Sequence, residues 1–197
     1  MSEEKIFKVA PSGIDYALKC RRCLWLAYKG IKLDTFFPPI FNAFDLIQKK
    51  FLITKSVKLI SNALPEGRIM TELSGFIGSS TLKDKKGRSF IIRGKTDVVI
   101  EFKTKPKKYG IIDLKTTNIN PSKIENYKLQ LEAYATIFEK PNSKTPKLSN
   151  IEELGLYLFE PKEITNISNK DCNMKFETLY LKGNRCHDEL MNRVTDI

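Results

Sequence analysis

Between Phe76 and Thr116 the apolar residues recur at every second position or in short unbroken runs, and this stretch constrains the chain more than any other. Period two belongs to strands, whose side chains alternate between two faces. Phe76 to Leu82, Ser89 to Phe102 and Tyr109 to Thr116 therefore read as strands, separated by the turn-forming KDKKGR and KTKPKK. Val98-Val99-Ile100 and Ile111-Ile112 are unbroken, which marks strands buried on at least one face. On either side the period is helical. Ile14, Ala17, Leu18, Leu24, Trp25 and Tyr28 line a first helix, with Ser12 as N-cap and Gly30 as stop. After a loop with Phe36, Phe37, Pro38 and Pro39, a second helix carries Phe44, Ile47, Phe51 and Leu52 on one stripe and Gln48, Lys49 and Lys50 on its polar face. Downstream, Asn120-Pro121-Ser122 opens a third helix whose core stripe is Tyr127, Leu131, Ala135 and Phe138, ended by Pro141. GLYLFE and KFETLYL then read as a strand pair and Asn184 to Val194 as a last helix. Without a repeat, a low-complexity tract or a long linker, residues 1–197 predict one domain of the α/β (α+β) class, a central mixed sheet flanked by helices.

Charge and cysteine content narrow the function. Lys and Arg outnumber Asp and Glu by 34 to 23, a net charge of +11, and the excess points to a polyanionic partner. Nucleic acid comes before a membrane surface, since no amphipathic anchoring helix is evident. The start, MSEEKIFKVA, lacks the layout of a secretion signal, and no run approaches the roughly 18 apolar residues of a membrane span, so a cytoplasmic protein is expected. Four Cys in such a chain argue against a disulfide framework and leave reduced thiols or a metal site.

The chemistry lies in RGKTDVVIEF followed by GIIDLKTT. Asp113 and Lys115 share one strand face, with Leu114 on the other. A hairpin turning near Lys105-Pro106 sets Asp97 opposite the segment from Asp113 to Lys115. Two carboxylates and an ammonium thus converge. Such a patch suits Mg²⁺ or Mn²⁺, which bind through one or two carboxylates, water and substrate phosphate, and Lys115 would stabilise charge on the phosphorus centre. A solvated salt-bridge group is the plainer account, but the apolar residues beside both acids place them at the edge of a core. On the third helix Gln130 and Tyr134, one turn apart, lie off the core stripe and add a polar pair. Between Lys83 and Lys108 ten Lys and Arg stand against three acids, a net of +7, and Arg93, Lys95 and the KTKPKK turn are read as phosphate-tracking groups.

In order, Gly94-Lys95-Thr96-Asp97, Gly110-Ile111-Ile112-Asp113-Leu114-Lys115-Thr116 and Tyr127-Lys128-Leu129-Gln130-Leu131-Glu132-Ala133-Tyr134 resemble the G-x-x-D, hydrophobic-D-x-K-T and Q-x-x-x-Y motifs of the PD-(D/E)XK nuclease superfamily. Within it the chain looks most like the RecB-like and CRISPR-associated exonuclease group, a resemblance that covers Arg93 to Phe138 best. The resemblance implies a restriction-endonuclease-like core, Asp97, Asp113 and the Leu114 carbonyl as metal ligands, Lys115 as the catalytic amine, and Gln130 and Tyr134 near DNA. The family's early-helix ligand, a His or an acid, falls to Asp45. Many relatives also hold an iron-sulfur cluster. Cys20 and Cys23 fit its upstream half, as a C-x-x-C also fits zinc or two core thiols, whereas Cys172 and Cys186 do not form the downstream half. The expectation is a Mg²⁺- or Mn²⁺-dependent nuclease acting on single- or double-stranded DNA. The alternatives are a non-catalytic nucleic-acid-binding protein on the same scaffold and a subunit of a larger repair or CRISPR-type complex.

Overall fold

The computed structural model describes residues 6–14, 20–31, 38–53, 55–73 and 75–197. The elements run β1 (Phe7–Val9), α1 (Arg21–Tyr28), α2 (Pro39–Ile53), β2 (Gly67–Ile69), β3 (Phe76–Gly78), β4 (Leu82–Lys83), β5 (Ser89–Lys95), β6 (Val98–Phe102), β7 (Tyr109–Thr116), α3 (Lys123–Glu139), β8 (Ile151–Ile167), β9 (Cys172–Gly183) and α4 (His187–Thr195). Short 3-10 turns lie at Pro11–Gly13, Val57–Leu59 and Thr71–Leu73. Among the described residues no helix is long and apolar enough to cross a membrane.

The strands form two sheets. In one, β5 pairs in parallel with β1 and antiparallel with β3 and β4. The other has the order β2-β6-β7-β8-β9, antiparallel except between β7 and β8, which α3 joins as a crossover. This is the mixed α+β architecture that the sequence predicts. The chain passes between the sheets at Thr96-Asp97, so the expected strand from Ser89 to Phe102 is two strands with a crease. Buried Thr96 holds the crease by donating its hydroxyl to the Leu73 carbonyl at 2.9 Å.

The five-stranded sheet is covered on both faces, which accounts for its unbroken apolar runs. Val99, Ile111, Leu154, Leu156 and Leu158 pack toward α3 and α4, together with Phe90 and Phe138. Val98, Ile100, Ile112 and Leu114 face the other way, onto Leu52, Val57, Ile60 and Leu64. Buried on nearly all sides from Leu129 to Phe138, α3 is the central helix.

Several elements differ from the expectation. The first strand breaks into β3 and β4 at buried Ser79, whose N–H still donates to the Ile92 carbonyl at 2.8 Å while its hydroxyl accepts from the Ile92 N–H at 2.9 Å. Ser12 lies inside the 3-10 turn, whose N-cap is Ala10, and residues 15–19, where the expected helix would begin, lie outside the described residues. Ile14 is fully buried and Trp25 is exposed, whereas Ala17, Leu18, Phe36 and Phe37 lie outside the described residues, as does the side chain of Tyr28. In α2 the expected faces hold only in part: Leu52 is buried and Lys50 exposed as expected, but Gln48 is buried, and Ile47 and Phe51 are exposed. The strand pair β8 and β9 extends well past the segments expected, as a ribbon exposed from Pro161 onward along β8. The C-terminal end of α4 is closed by the KDKKGR turn, where Arg88 donates to the Thr195 carbonyl at 2.7 Å.

Candidate active site

Asp113 and Lys115 project from the last turn of the pleat in β7, toward α3. β6 and β7 pair with Val98 opposite Ile112, so the next residue back, Asp97, arrives at Asp113. Asp113 is buried. Its Oδ1 accepts from Gln130 Nε2 at 3.0 Å, while Oδ2 is ion-paired with Lys115 Nζ at 2.5 Å. Burial pushes the Asp113 pKa up, Lys115 opposes this, and the nearby Asp97 charge adds to it, leaving the carboxyl at about 6. For Lys115, burial works downward, but the Asp113 charge outweighs it and the pKa is raised. The ammonium also lies over the Tyr127 ring, 5.0 Å from its centre.

Asp97 sits on the crease and reaches back into the sheet. Its Oδ2 accepts the Leu114 N–H at 2.9 Å, a bond that the end of β6 no longer supplies from its backbone. Its Oδ1 pairs with Lys49 Nζ at 2.7 Å, and the same ammonium pairs with Asp45 at 2.8 Å. Burial works against the charge of Lys49, but the two carboxylates prevail and raise its pKa. One residue earlier on α2, Gln48 donates to Thr116 Oγ1 at 3.0 Å, so two adjacent polar side chains tie α2 down, Gln48 to the end of β7 and Lys49 to the crease.

From α3, Gln130 Nε2 also donates to the Tyr134 hydroxyl at 3.3 Å. That phenol therefore keeps its own hydrogen for a further acceptor, and burial, with the Asp113 charge, raises its pKa. Gly94 makes room for this arrangement. A Cβ there would stand 2.7 Å from Pro11 Cδ and 3.2 Å from the Tyr134 ring.

Of the residues singled out in the sequence, Asp97, Asp113, Lys115, Leu114, Gln130 and Tyr134 come together. Asp45 stands one step away, bonded to Lys49. Arg93 and Lys95 lie on β5 just upstream of the crease, with Arg93 over the Phe76 ring at 5.6 Å. The KTKPKK turn is at the far end of β6 from Asp97. Cys20 and Cys23, at i and i+3 where α1 begins, meet each other and are paired as a disulfide, where the sequence left reduced thiols or metal ligands open. Cys172 is exposed and Cys186 is half-buried, its thiol against the Lys128 carbonyl. The sequence reading missed Lys49 and Gln48, which it placed on an outward face; the signal available was the Asp45–Lys49 spacing of an i,i+4 ion pair.

The site suits a hard divalent cation. Two carboxylates converge, one of them buried and held by Gln130 and Lys115, and among the described residues no group of three or more His, Cys, Asp and Glu forms a fuller cage. Mg²⁺ commonly binds in this way, completing its shell with water and substrate oxygens.

No curated protein matches the chain. Among solved structures, the crystal structure of SSO0001 is similar in fold, with a TM-score of 0.53 and 13% identity over 100% of this chain and 76% of that one. The family model of the PD-(D/E)XK nuclease superfamily matches residues 43–191, a span that includes most of α2, both acids, Lys115 and the Gln130–Tyr134 pair. By that match the chain belongs to the PD-(D/E)XK nuclease superfamily.

Proposed function

We infer that this chain hydrolyses phosphodiester bonds in DNA, in the manner of the RecB-like branch, with Mg²⁺ or Mn²⁺ as its cofactor. The observation that carries the reading is the convergence of buried Asp113, Asp97 and Lys115, with the Lys115 ammonium 2.5 Å from Asp113 Oδ2 and Asp97 joined to the Leu114 N–H of the same strand. Asp97 and Asp113, with the Leu114 carbonyl, would hold the cation, which supplies Lewis acidity and a bound water of lowered pKa. Gln130 fixes the Asp113 carboxylate through Oδ1. Lys115, kept charged by Asp113, offers N–H groups to the phosphate oxygens as negative charge builds on them. The Tyr134 hydroxyl, protonated and accepting from Gln130, donates to a backbone phosphate oxygen. Arg93 and Lys95, on the strand entering the crease, hold the polyanion without reading its bases.

The test is incubation of plasmid and single-stranded DNA with the protein, with and without Mn²⁺, alongside Asp113→Asn and Lys115→Ala. Metal-dependent degradation lost in both variants, with the circular dichroism spectrum unchanged, is expected. DNA retarded but uncut in every lane would overturn the reading in favour of a non-catalytic binder.

A further inference from the structure

Lys49 touches the site yet has no part in the hydrolytic chemistry above. Its side chain is 14% exposed and its ammonium is shared between two carboxylates, Asp97 at 2.7 Å and Asp45 at 2.8 Å. Asp97 Oδ2 is engaged by the Leu114 N–H, so the oxygen open to a ligand is Oδ1, and Lys49 sits on it. A cation taking that oxygen meets the ammonium as a competitor and as a like charge. Asp45, one turn earlier on the same helix and 42% exposed, provides a place for the ammonium to retire.

We propose that Lys49 is the resident counter-ion of the site and exchanges with the divalent cation: it holds Asp97 Oδ1 when no cation is present and rests on Asp45 alone when one is bound. The proposal builds on the cation reading of the preceding subsection. It gives Asp45 a role as acceptor of the displaced ammonium, a positioning residue acting through Lys49. It also makes α2 the element that sets how tightly the site takes its metal. Like charges a few ångströms apart near a protein surface interact strongly enough that removing one changes affinity by about tenfold.

Calorimetric titration of Mn²⁺ into the whole chain, without nucleic acid, tests this. Lys49→Met and Lys49→Gln should each tighten Mn²⁺ binding about tenfold, and Lys49→Arg should stay near the original value. Asp45→Asn should weaken binding several-fold in the original chain and have no effect in the Lys49→Met background. Melting curves followed by circular dichroism establish that each variant is folded. Unchanged or weaker binding in both neutral Lys49 variants overturns the proposal, as does a loss from Asp45→Asn that persists without Lys49, since Asp45 would then be a direct ligand. Failure of the cation reading looks different: the original chain takes up no Mn²⁺, or Asp97→Asn binds it equally well, and the exchange falls with it.

Discussion

At the scale of the residue, Asp113 behaves unlike an exposed aspartate because burial raises its carboxyl from 3.8 to about 6. A carboxyl that holds its proton more tightly folded than unfolded adds stability below about pH 4, and that stability is lost as the pH rises through about 6. A cation that binds the folded chain above that pH restores it. Since the cation needs the ionised carboxylate, Mn²⁺ affinity should fall about tenfold per unit once the pH drops below about 6. Titrations at pH 7.5, 6 and 5 measure this; constant affinity down to pH 5 would contradict it. Asp97, Asp113 and Lys115 were legible in the sequence because strand alternation and one short hairpin are enough to bring them together. Lys49 was not, because which side of a helix faces inward depends on what packs there. Here the partners of α2 are the polar end of β7 and the crease, so Gln48 and Lys49 turn in and Ile47 and Phe51 turn out.

At the scale of the element, β7 matches its predicted bounds from Tyr109 to Thr116, since both of its faces are packed and its ends are set by turns. The parallel pairing of β7 with β8 was beyond local pattern, because it depends on α3 returning the chain to the same end of the sheet. On β8, Gly155 lies under the ring of Tyr180, whose hydroxyl donates to Glu153 Oε1 at 2.6 Å. A Cβ at Gly155 would stand 2.3 Å from that ring, so Gly155→Ala must displace Tyr180 and break this bond. A loss of about 1–3 kcal/mol is expected, readable as a lower denaturation midpoint. An unchanged midpoint would show that the ribbon yields at no cost.

At the scale of the molecule, the basic residues divide by task. Lys86 and Arg88 serve the end of α4, Arg93 and Lys95 precede the crease, and Lys103, Lys105 and Lys107 line a cleft with Arg68 at the far turn of β6 and β7. β6 is 5 residues long, which places that turn about 16 Å from the acids at the rise of a strand. Neutralising those three lysines should therefore reduce the salt dependence of binding for long oligonucleotides and leave a trinucleotide unaffected, as measured by fluorescence anisotropy. Equal effects on both lengths would place the nucleic acid elsewhere. The C-terminal segment is fastened by Arg185, which pairs with fully buried Glu132 at 2.9 Å and with Glu139 at 2.7 Å. Arg185→Met leaves the Glu132 charge buried without that partner, and a loss of about 3 kcal/mol should appear in chemical denaturation. Finally, the crease at Thr96-Asp97 has a mechanical meaning. One acid of the pair rides on the fold line between two sheets, and the other is fixed within one of them. The gap between the carboxylates thus works as a caliper on the angle between the sheets. On the cation reading, core substitutions at Phe90 or Phe138, neither of which touches the acids, would register first as altered Mn²⁺ affinity, before the fold itself gives way.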